Sequence, residues 1–467
     1  MSNLKKIDFL TITKDREIID RTESICKDFN FSNFLISNLE ELTNIGIQGQ
    51  PFTLLDASHI DRANEIAGMV QSVKMFIPDA FVAIVLDSKI PAETMQFIKK
   101  SGAGVVIMKS EITLTSKLEF ISTQKIGTEF IPIKVNELKS NTNIGLSIYH
   151  ILPLNKKFIP VITPGIIEQD KLDKLQRFGE VFVKREDWEK YKKYSNDNQD
   201  TSALGLSIRC RNQFLSLSAA YIDLIFLLSD QSEEASYTSG IELYQKCFNL
   251  CEELILMMGG AASAWDIINN SAIGTFGSLE RATAISAYSG LLSLHSNIGS
   301  QAEIMIAALM SEIGLLDLSP KITKKLRDGN AFDDEEMKAY AQYPIMSLNK
   351  ILSRKLQIPE KLRNIMLSVH EQVDGKGFPN RPRPERIPME SMIIQLSGII
   401  DKYSLIKFDK ERKSMSQIKE ELLKDLVDFD NKVFSRIFIE KIKLAINEIG
   451  SDVNQSVRIN LENGNSH

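Results

Sequence analysis

The hydrophobic periodicity changes once along this chain, and that change limits the architectures open to it. As far as about Glu111, short apolar runs alternate with amphipathic stretches. I-D-F-L-T-I-T, F-T-L-L-D ending on Asp56, A-F-V-A-I-V-L-D, and S-G-A-G-V-V-I-M-K ending on Lys109 read as buried strands. Helices are expected between them over Asp15–Phe29, Ala63–Lys74 and Ala92–Lys100. Strands that are apolar along their whole length and separated by helices predict a doubly wound parallel sheet, a fold in which function gathers at the carboxyl ends of the strands. From Ala203 onward the pattern is almost entirely helical, as in an all-α bundle.

Between these regions, F-I-P-I-K-V, I-G-L-S-I-Y-H-I-L-P-L, K-F-I-P-V-I-T and E-V-F-V-K are strand-like, with D-K-L-D-K-L-Q-R-F as a helix before the last. No Gly-rich phosphate loop and no nucleophile with a matching base occurs there. The polar run Tyr194–Ser202 reads as a linker. The expectation is therefore a multidomain chain: a doubly wound α/β domain over 1–115, a small α/β domain over 125–195 and an all-α bundle over 196–460. At 467 residues, three domains suit the length. In the bundle, Ser300 is placed to cap a helix carrying Ile304, Ala307, Ala308 and Ile313. Another helix is expected from Pro359 to His370, before an Asp374-Gly375 turn, and further helices over Pro388–Ile406 and Gln417–Ile449.

A formal net charge of −5 argues against a general nucleic-acid binder. The N-terminal M-S-N-L-K-K-I-D-F-L has no long apolar run after its lysines, and the strongest apolar run, around Ile222–Leu228, falls short of the ~20 residues that cross a bilayer. A cytoplasmic location without a membrane span is expected. Four cysteines make no disulfide framework, and Cys247 and Cys251, four apart on one helix face, read as buried packing. The five histidines, His59, His150, His295, His370 and His467, are scattered, so a multi-histidine metal centre in the helical region is short of ligands.

About the first 112 residues resemble a response-regulator receiver domain. In that resemblance Asp56 stands at the phospho-accepting aspartate and Lys109 at the lysine that contacts the phosphoryl group. Where the family places an acidic pair to hold magnesium, this chain has Thr13, Lys14 and Asp15, which weakens the site. Two readings follow: a receiver-shaped docking module that is not phosphorylated, and an adaptor switched by phosphorylation of Asp56.

From about Ser278 to Lys441, five landmarks appear in order: A-A-L-M-S-E-I-G-L, D-D-E-E-M-K-A-Y-A-Q-Y-P, V-H-E-Q-V-D-G-K-G-F-P, I-P-M-E-S-M-I-I-Q-L-S-G-I-I-D and V-D-F-D-N-K-V-F. They resemble the HD-GYP family, metal-dependent phosphohydrolases that cleave cyclic di-GMP. That resemblance implies a binuclear metal centre held by histidines and carboxylates from several helices. The His-Asp pair falls on Ser311 and Glu312, the next histidine on Tyr343, the first of the paired histidines on Val369, and the late aspartate on Gly398. An upstream histidine expected near Gly277–Leu279 is absent, and only His370 is kept. The family's phosphate-holding lysine and arginine fall on Leu315 and Met392, and the tyrosine of Gly-Tyr-Pro on Phe378.

The candidate ligand contacts are His370, Glu371, Asp374, Gly375, Gly377, Phe378, Lys324 and Lys325. The last two belong to a cluster with Lys321 and Arg327 that is either a phosphate-attracting strip or a solvated helix face. His370 either contacts a ligand or hydrogen-bonds Glu371 or a backbone carbonyl. Asp374, Gly375 and Gly377 specify a sharp turn in either case. The leading expectation is a non-hydrolytic bacterial signalling protein, a degenerate HD-GYP-like domain acting through protein partners, with cyclic di-GMP as a candidate ligand and no cofactor. Homodimerisation is expected through the apolar helical segment before Gly259. Two alternatives stand beside it. One is a weak or altered phosphodiesterase with iron or manganese, built on Glu312, His370 and a recruited residue; the other is the phospho-switched adaptor.

Overall fold

The structure is a computed structural model that describes residues 5–44, 47–48, 50–127, 129–152, 157–199, 202–231, 238–261, 264–272, 279–405 and 413–449. Its N-terminal sheet contains β1 (Phe9–Ile12), β2 (Asn33–Ile36), β3 (Phe52–Asp56), β4 (Phe81–Leu86) and β5 (Ala103–Met108). They lie in the order β2-β1-β3-β4-β5 and every pair is parallel, an order of the doubly wound class. Helices Arg16–Phe29, Ala63–Phe76 and Ala92–Lys100 make the crossovers. The continuous apolar runs follow from burial on both faces. Phe52, Leu54, Ala83, Val85, Val105 and Ile107 point into one core, while Leu55, Val82, Ile84, Leu86, Val106 and Met108 point into another. The edge strand β2 was not anticipated, because it is four residues long and half exposed.

A second sheet follows: β6 (Phe130–Lys134), β7 (Ile148–Leu152), β8 (Lys157–Ile162) and β9 (Glu180–Lys184), antiparallel in the order β8-β7-β9-β6. Ile131 and Ile133 face Val183 and Val181 across it, and all four are buried. The polar run after it is not a linker over its first half. Residues Trp188–Asn198 form a helix whose Tyr191 and Tyr194 are buried, with the Tyr191 hydroxyl donating to Glu137 Oε2 at 2.5 Å. Two tyrosines three apart make an apolar stripe that the polar composition conceals. Residues 200 and 201 lie outside the described residues.

The helical region begins with two long helices, Ala203–Ser229 and Thr238–Gly260, packed side by side. The first is long and apolar enough to cross a membrane by length and composition, but 78% of its most apolar window is buried inside the bundle. The second buries Cys247, Leu250, Cys251, Leu254 and Met258. The apolar surface before Gly259, on which homodimerisation was expected, is thus largely packed within its own chain, and Leu256 stays exposed. All four cysteines are free and buried, as packing requires.

Two helix boundaries differ from expectation. The helix expected from Pro359 to His370 covers only Glu360–Leu367, leaving His370 in an extended bridge with Phe378. The helix expected over Gln417–Ile449 is two, Met415–Phe429 and Arg436–Glu448, broken where Asn431 adopts φ 55° and Phe434 turns into the core. The helix expected over Pro388–Ile406 is Met389–Ser404, and Ile406 lies outside the described residues.

The N-terminal domain docks on this bundle through named contacts. Asp230, ending the first long helix, accepts from the Val106 amide of edge strand β5 at 3.0 Å and from Lys99 Nζ at 2.6 Å. A carboxylate thereby covers an otherwise open sheet edge. Glu119 bonds both Arg21 and Arg327 across the boundary, and Ser116 Oγ lies 2.7 Å from Thr323 Oγ1.

Candidate functional site

Five of the positions at which the resemblance expects metal ligands, Glu312, Tyr343, Val369, His370 and Gly398, line one cavity of about 350 Å³. Glu312 lies where the helix Gln301–Ser311 gives way to a short turn, and Tyr343 opens the helix Tyr343–Ser353. Gly314 lets the two approach, since a Cβ there would lie 2.1 Å from the Tyr343 carbonyl oxygen. Ser347 Oγ closes the junction, donating to the Ser311 carbonyl at 2.6 Å and accepting from the Gly314 amide at 2.7 Å.

The Tyr343 hydroxyl donates to Glu312 Oε1 at 3.3 Å and makes a short hydrogen bond with His370 Nε2. Burial holds the Glu312 carboxyl at about 7, against a lowering by the Tyr343 bond, and burial drives His370 down to about 4. Burial also raises the Tyr343 phenol well above its ordinary value. In the interval between those values, all three groups are uncharged.

A binuclear centre does not fit this donor set. Glu312, one imidazole and a phenol held protonated, with the cavity's other carboxylate, Asp401, paired to Arg281, supply too few charged oxygens and nitrogens. Among the described residues there is no group of three or more His, Cys, Asp or Glu side chains placed to hold a metal. Ser311 is buried with its Oγ on the Ala308 carbonyl, and Val369 is buried. Leu315 and Met392, at the positions of the family's phosphate-holding cations, are 3% and 2% exposed within the core. His295 lies elsewhere, with its Nδ1 2.7 Å from Glu448 Oε2.

The V-H-E-Q-V-D-G-K-G-F-P loop is built as a rigid turn. His370 stacks on Phe378, with ring centroids 4.6 Å apart and an angle of 18°. Glu371 does not meet His370; its Oε1 accepts from the amides of Asn380 at 2.6 Å and Arg381 at 3.0 Å. Asp374 Oδ1 accepts from the Lys376 amide at 3.0 Å, and Gly375 takes φ +75°. A Cβ on Gly377 would lie 2.4 Å from the Gln372 amide nitrogen and 2.5 Å from the His370 carbonyl oxygen, so only glycine fits there. Loop amides of Val373 and Asp374 donate to the carbonyls of Val433 and Lys432, joining this landmark to the closing V-D-F-D-N-K-V-F.

Of the expected contacts, His370 lines the cavity. Phe378 stacks behind it, and Glu371, Asp374, Gly375 and Gly377 shape the turn. Lys324 and Lys325 lie away from it: Lys324 Nζ is 2.7 Å from Asp28 of the N-terminal domain and Lys325 Nζ 2.6 Å from Glu336. The strip after Pro320 is a docking and helix-pairing surface. Sequence reasoning missed Arg281 and Asp401, a buried pair on the cavity wall in which Arg281 Nε lies 3.0 Å from Asp401 Oδ2. Asp401 closes the I-P-M-E-S-M-I-I-Q-L-S-G-I-I-D landmark, but nothing in the sequence pairs it with Arg281, 120 residues away.

In the N-terminal domain, both oxygens of Asp56 are engaged. Thr13 Oγ1 donates to Oδ2 at 2.6 Å, and the Ser58 amide and hydroxyl donate to Oδ1 at 3.0 and 2.7 Å. Lys109 Nζ lies 2.6 Å from Asp15 Oδ2, and its ammonium holds the Asp15 carboxyl below the usual range. Asp15 Oδ1 caps the following helix through the Glu17 and Ile18 amides.

Residues 264–431 match the family described as HD domain. The cyclic di-GMP phosphodiesterase PdeB of Borreliella burgdorferi is 32% identical over 149 residues, 32% of this chain and 36% of that protein. The 3'3'-cGAMP-specific phosphodiesterase 2 of Vibrio cholerae is 22% identical over 220 residues, 47% of this chain and 34% of that protein. The chain thus spans about a third of the length of the curated relatives it matches. Among solved structures, Bd1817, an HDG"Y"P protein from Bdellovibrio bacteriovorus, superposes with a TM-score of 0.41 at 16% identity, over 67% of this chain and 98% of that one; so loose a likeness bears no weight here. The chain carries an HD domain over residues 264–431, homologous to the HD-GYP phosphodiesterases.

Proposed function

We propose that the HD domain of this chain is a non-hydrolytic signalling module, which keeps the frame of the phosphodiesterases it is related to and acts through protein partners. Cyclic di-GMP, the dinucleotide for which the Borreliella burgdorferi relative is named, is its candidate small ligand, bound without turnover. The observation that carries this reading is the Tyr343 hydroxyl standing between Glu312 and His370. Hydrolysis in the family needs a metal-generated hydroxide and cations that clamp the phosphate. Here a protein hydroxyl joins two of the ligand positions, and the other ligand positions carry Ser311, Val369 and Gly398. The doubly wound domain serves as a receiver-like docking module in this proposal. Support comes from the occupied oxygens of Asp56 and from the contacts of Asp28, Lys99, Val106 and Glu119 with the bundle. A cytoplasmic site of action belongs to the same proposal.

His370→Ala tests it. A scaffold loses some stability and keeps its ligand and partner binding, whereas an enzyme built on Glu312 and His370 loses bound metal and activity together.

A further inference from the structure

A second cavity, of about 470 Å³, lies where the start of the helix Lys117–Gly127 meets the bundle, away from the Glu312–Tyr343–His370 cluster. Lys117, Lys350 and Arg354 line it against one carboxylate, Asp317. These cations are buried rather than surface-borne: the Lys117 and Lys350 side chains are 5% and 9% exposed, and Arg354 as a residue is 8% exposed. Both ammonium groups lie within ion-pair reach of one Asp317 oxygen, Lys350 the nearer. Lys350 Nζ lies 2.9 Å and Lys117 Nζ 3.8 Å from Asp317 Oδ1. Lys117 pairs most closely with Glu111, whose Oε1 also accepts from Gln231 of the lining at 2.9 Å, and Arg354 Nη2 donates to the Asp230 carbonyl at 2.8 Å. Among the described residues of the lining, cations outnumber carboxylates. Burial, with the Lys117 ammonium adding to it, holds Lys350 below the ordinary lysine value. Buried positive charge gathered on one wall is the expected state of an anion site.

The polar side chains of Asn349 and Ser353, on the same helix face as Lys350 and Arg354, extend the wall with hydrogen-bonding groups. We propose that this cavity is a binding site for a small phosphate-bearing anion, held by Lys117 from the helix Lys117–Gly127 that follows the N-terminal domain and by Lys350 and Arg354 from the bundle. Bound there, the anion ties the helix Lys117–Gly127 to the bundle, because its cations come from both. A compact dianion suits lysine point charges, and a guanidinium adds a directional pair of donors.

The test is isothermal titration of the full chain with inorganic phosphate and, separately, with 5'-GMP, sodium chloride keeping the ionic strength constant. Saturable binding is expected with at least one probe, and thermal unfolding should shift upward as the bound state fills. Phosphate binding alone identifies the free ion as the ligand, and tighter GMP binding identifies a phosphate monoester. Lys350→Met should weaken binding at least tenfold. Lys350→Arg should retain it, as should Lys324→Met, whose cation lies outside the cavity. Should Lys350→Met fail to fold by circular dichroism, Arg354→Met carries the same expectation. No saturable binding of either probe to the wild type, or equal binding by Lys350→Met and Arg354→Met, would overturn the proposal.

Discussion

The Tyr343 hydroxyl hydrogen-bonds His370 Nε2, joining two residues that the HD-GYP resemblance assigns to metal ligation. The bond runs from the first residue of one helix to the bridge of the V-H-E-Q-V-D-G-K-G-F-P loop. Tyr343→Phe keeps the ring packing against Tyr340 and His370 but removes the hydroxyl. A loss of about 1–2 kcal/mol is expected, because Glu312 and His370 are left with fewer buried bonds. Denaturant unfolding with unchanged m-value measures it; an unchanged midpoint would mean that the bond does not form.

The pH dependence of stability separates Glu312 from His370. Glu312 titrates near 7 in the fold and near 4.5 unfolded, so it makes stability fall as pH rises between those values. His370 titrates near 4 in the fold and near 6.5 unfolded, so it makes stability rise with pH across that interval. From 4.5 to 6.5 the two slopes oppose each other. Glu312→Gln should leave a stability that rises with pH, and His370→Gln one that falls. At about 1.4 kcal/mol per pH unit over about 2.5 units, each slope accumulates to about 3.5 kcal/mol. Parallel profiles for the two variants would contradict the assignment.

The loop glycines should differ in sensitivity. Gly377→Ala drives a Cβ into the backbone of residues 370–372 and is expected to cost about 3 kcal/mol or more. Gly375→Ala meets open space and suffers only its φ of +75°, about 1 kcal/mol. Thermal unfolding of the pair checks the order, and a reversed order would show that the turn is built otherwise.

Asp56 should resist phosphoryl transfer. Thr13 and Ser58 occupy both of its oxygens, and Asp15 is held by Lys109 and by a helix cap. Incubation with acetyl phosphate and magnesium should leave the intact mass unchanged. A phosphoryl adduct that disappears in Asp56→Ala would restore the phospho-switched reading.

Where the sequence had strict periodicity, it was a good guide. The strand ending on Asp56 and the helix Ala92–Lys100 stand where the apolar pattern placed them, and the strand expected to end on Lys109 ends one residue earlier, on Met108. It was a poor guide where one residue breaks a run, as Asn431 does, or where aromatic rings hide in polar surroundings, as Tyr191 and Tyr194 do. The loop shape was legible because Asp-Gly and Gly-Phe-Pro impose it locally. The linkage of Glu312, Tyr343 and His370 was not, since it depends on how closely Gly314 lets one helix approach another. The anions that meet Lys324 and Lys325 were equally hidden, because Asp28 lies nearly 300 residues away from Lys324 in the chain.

If the Glu312–Tyr343–His370 cluster stands in place of a metal centre, the chain should neither hold metal nor hydrolyse the dinucleotide. Metal analysis of the full chain, purified with iron and manganese supplied, coupled to a cyclic di-GMP hydrolysis assay on the same sample, tests this most directly. Metal far below one equivalent is expected, with no linear or mononucleotide product, whether or not the intact dinucleotide binds. Near-stoichiometric iron or manganese together with clear hydrolysis, both lost in His370→Ala, would contradict it.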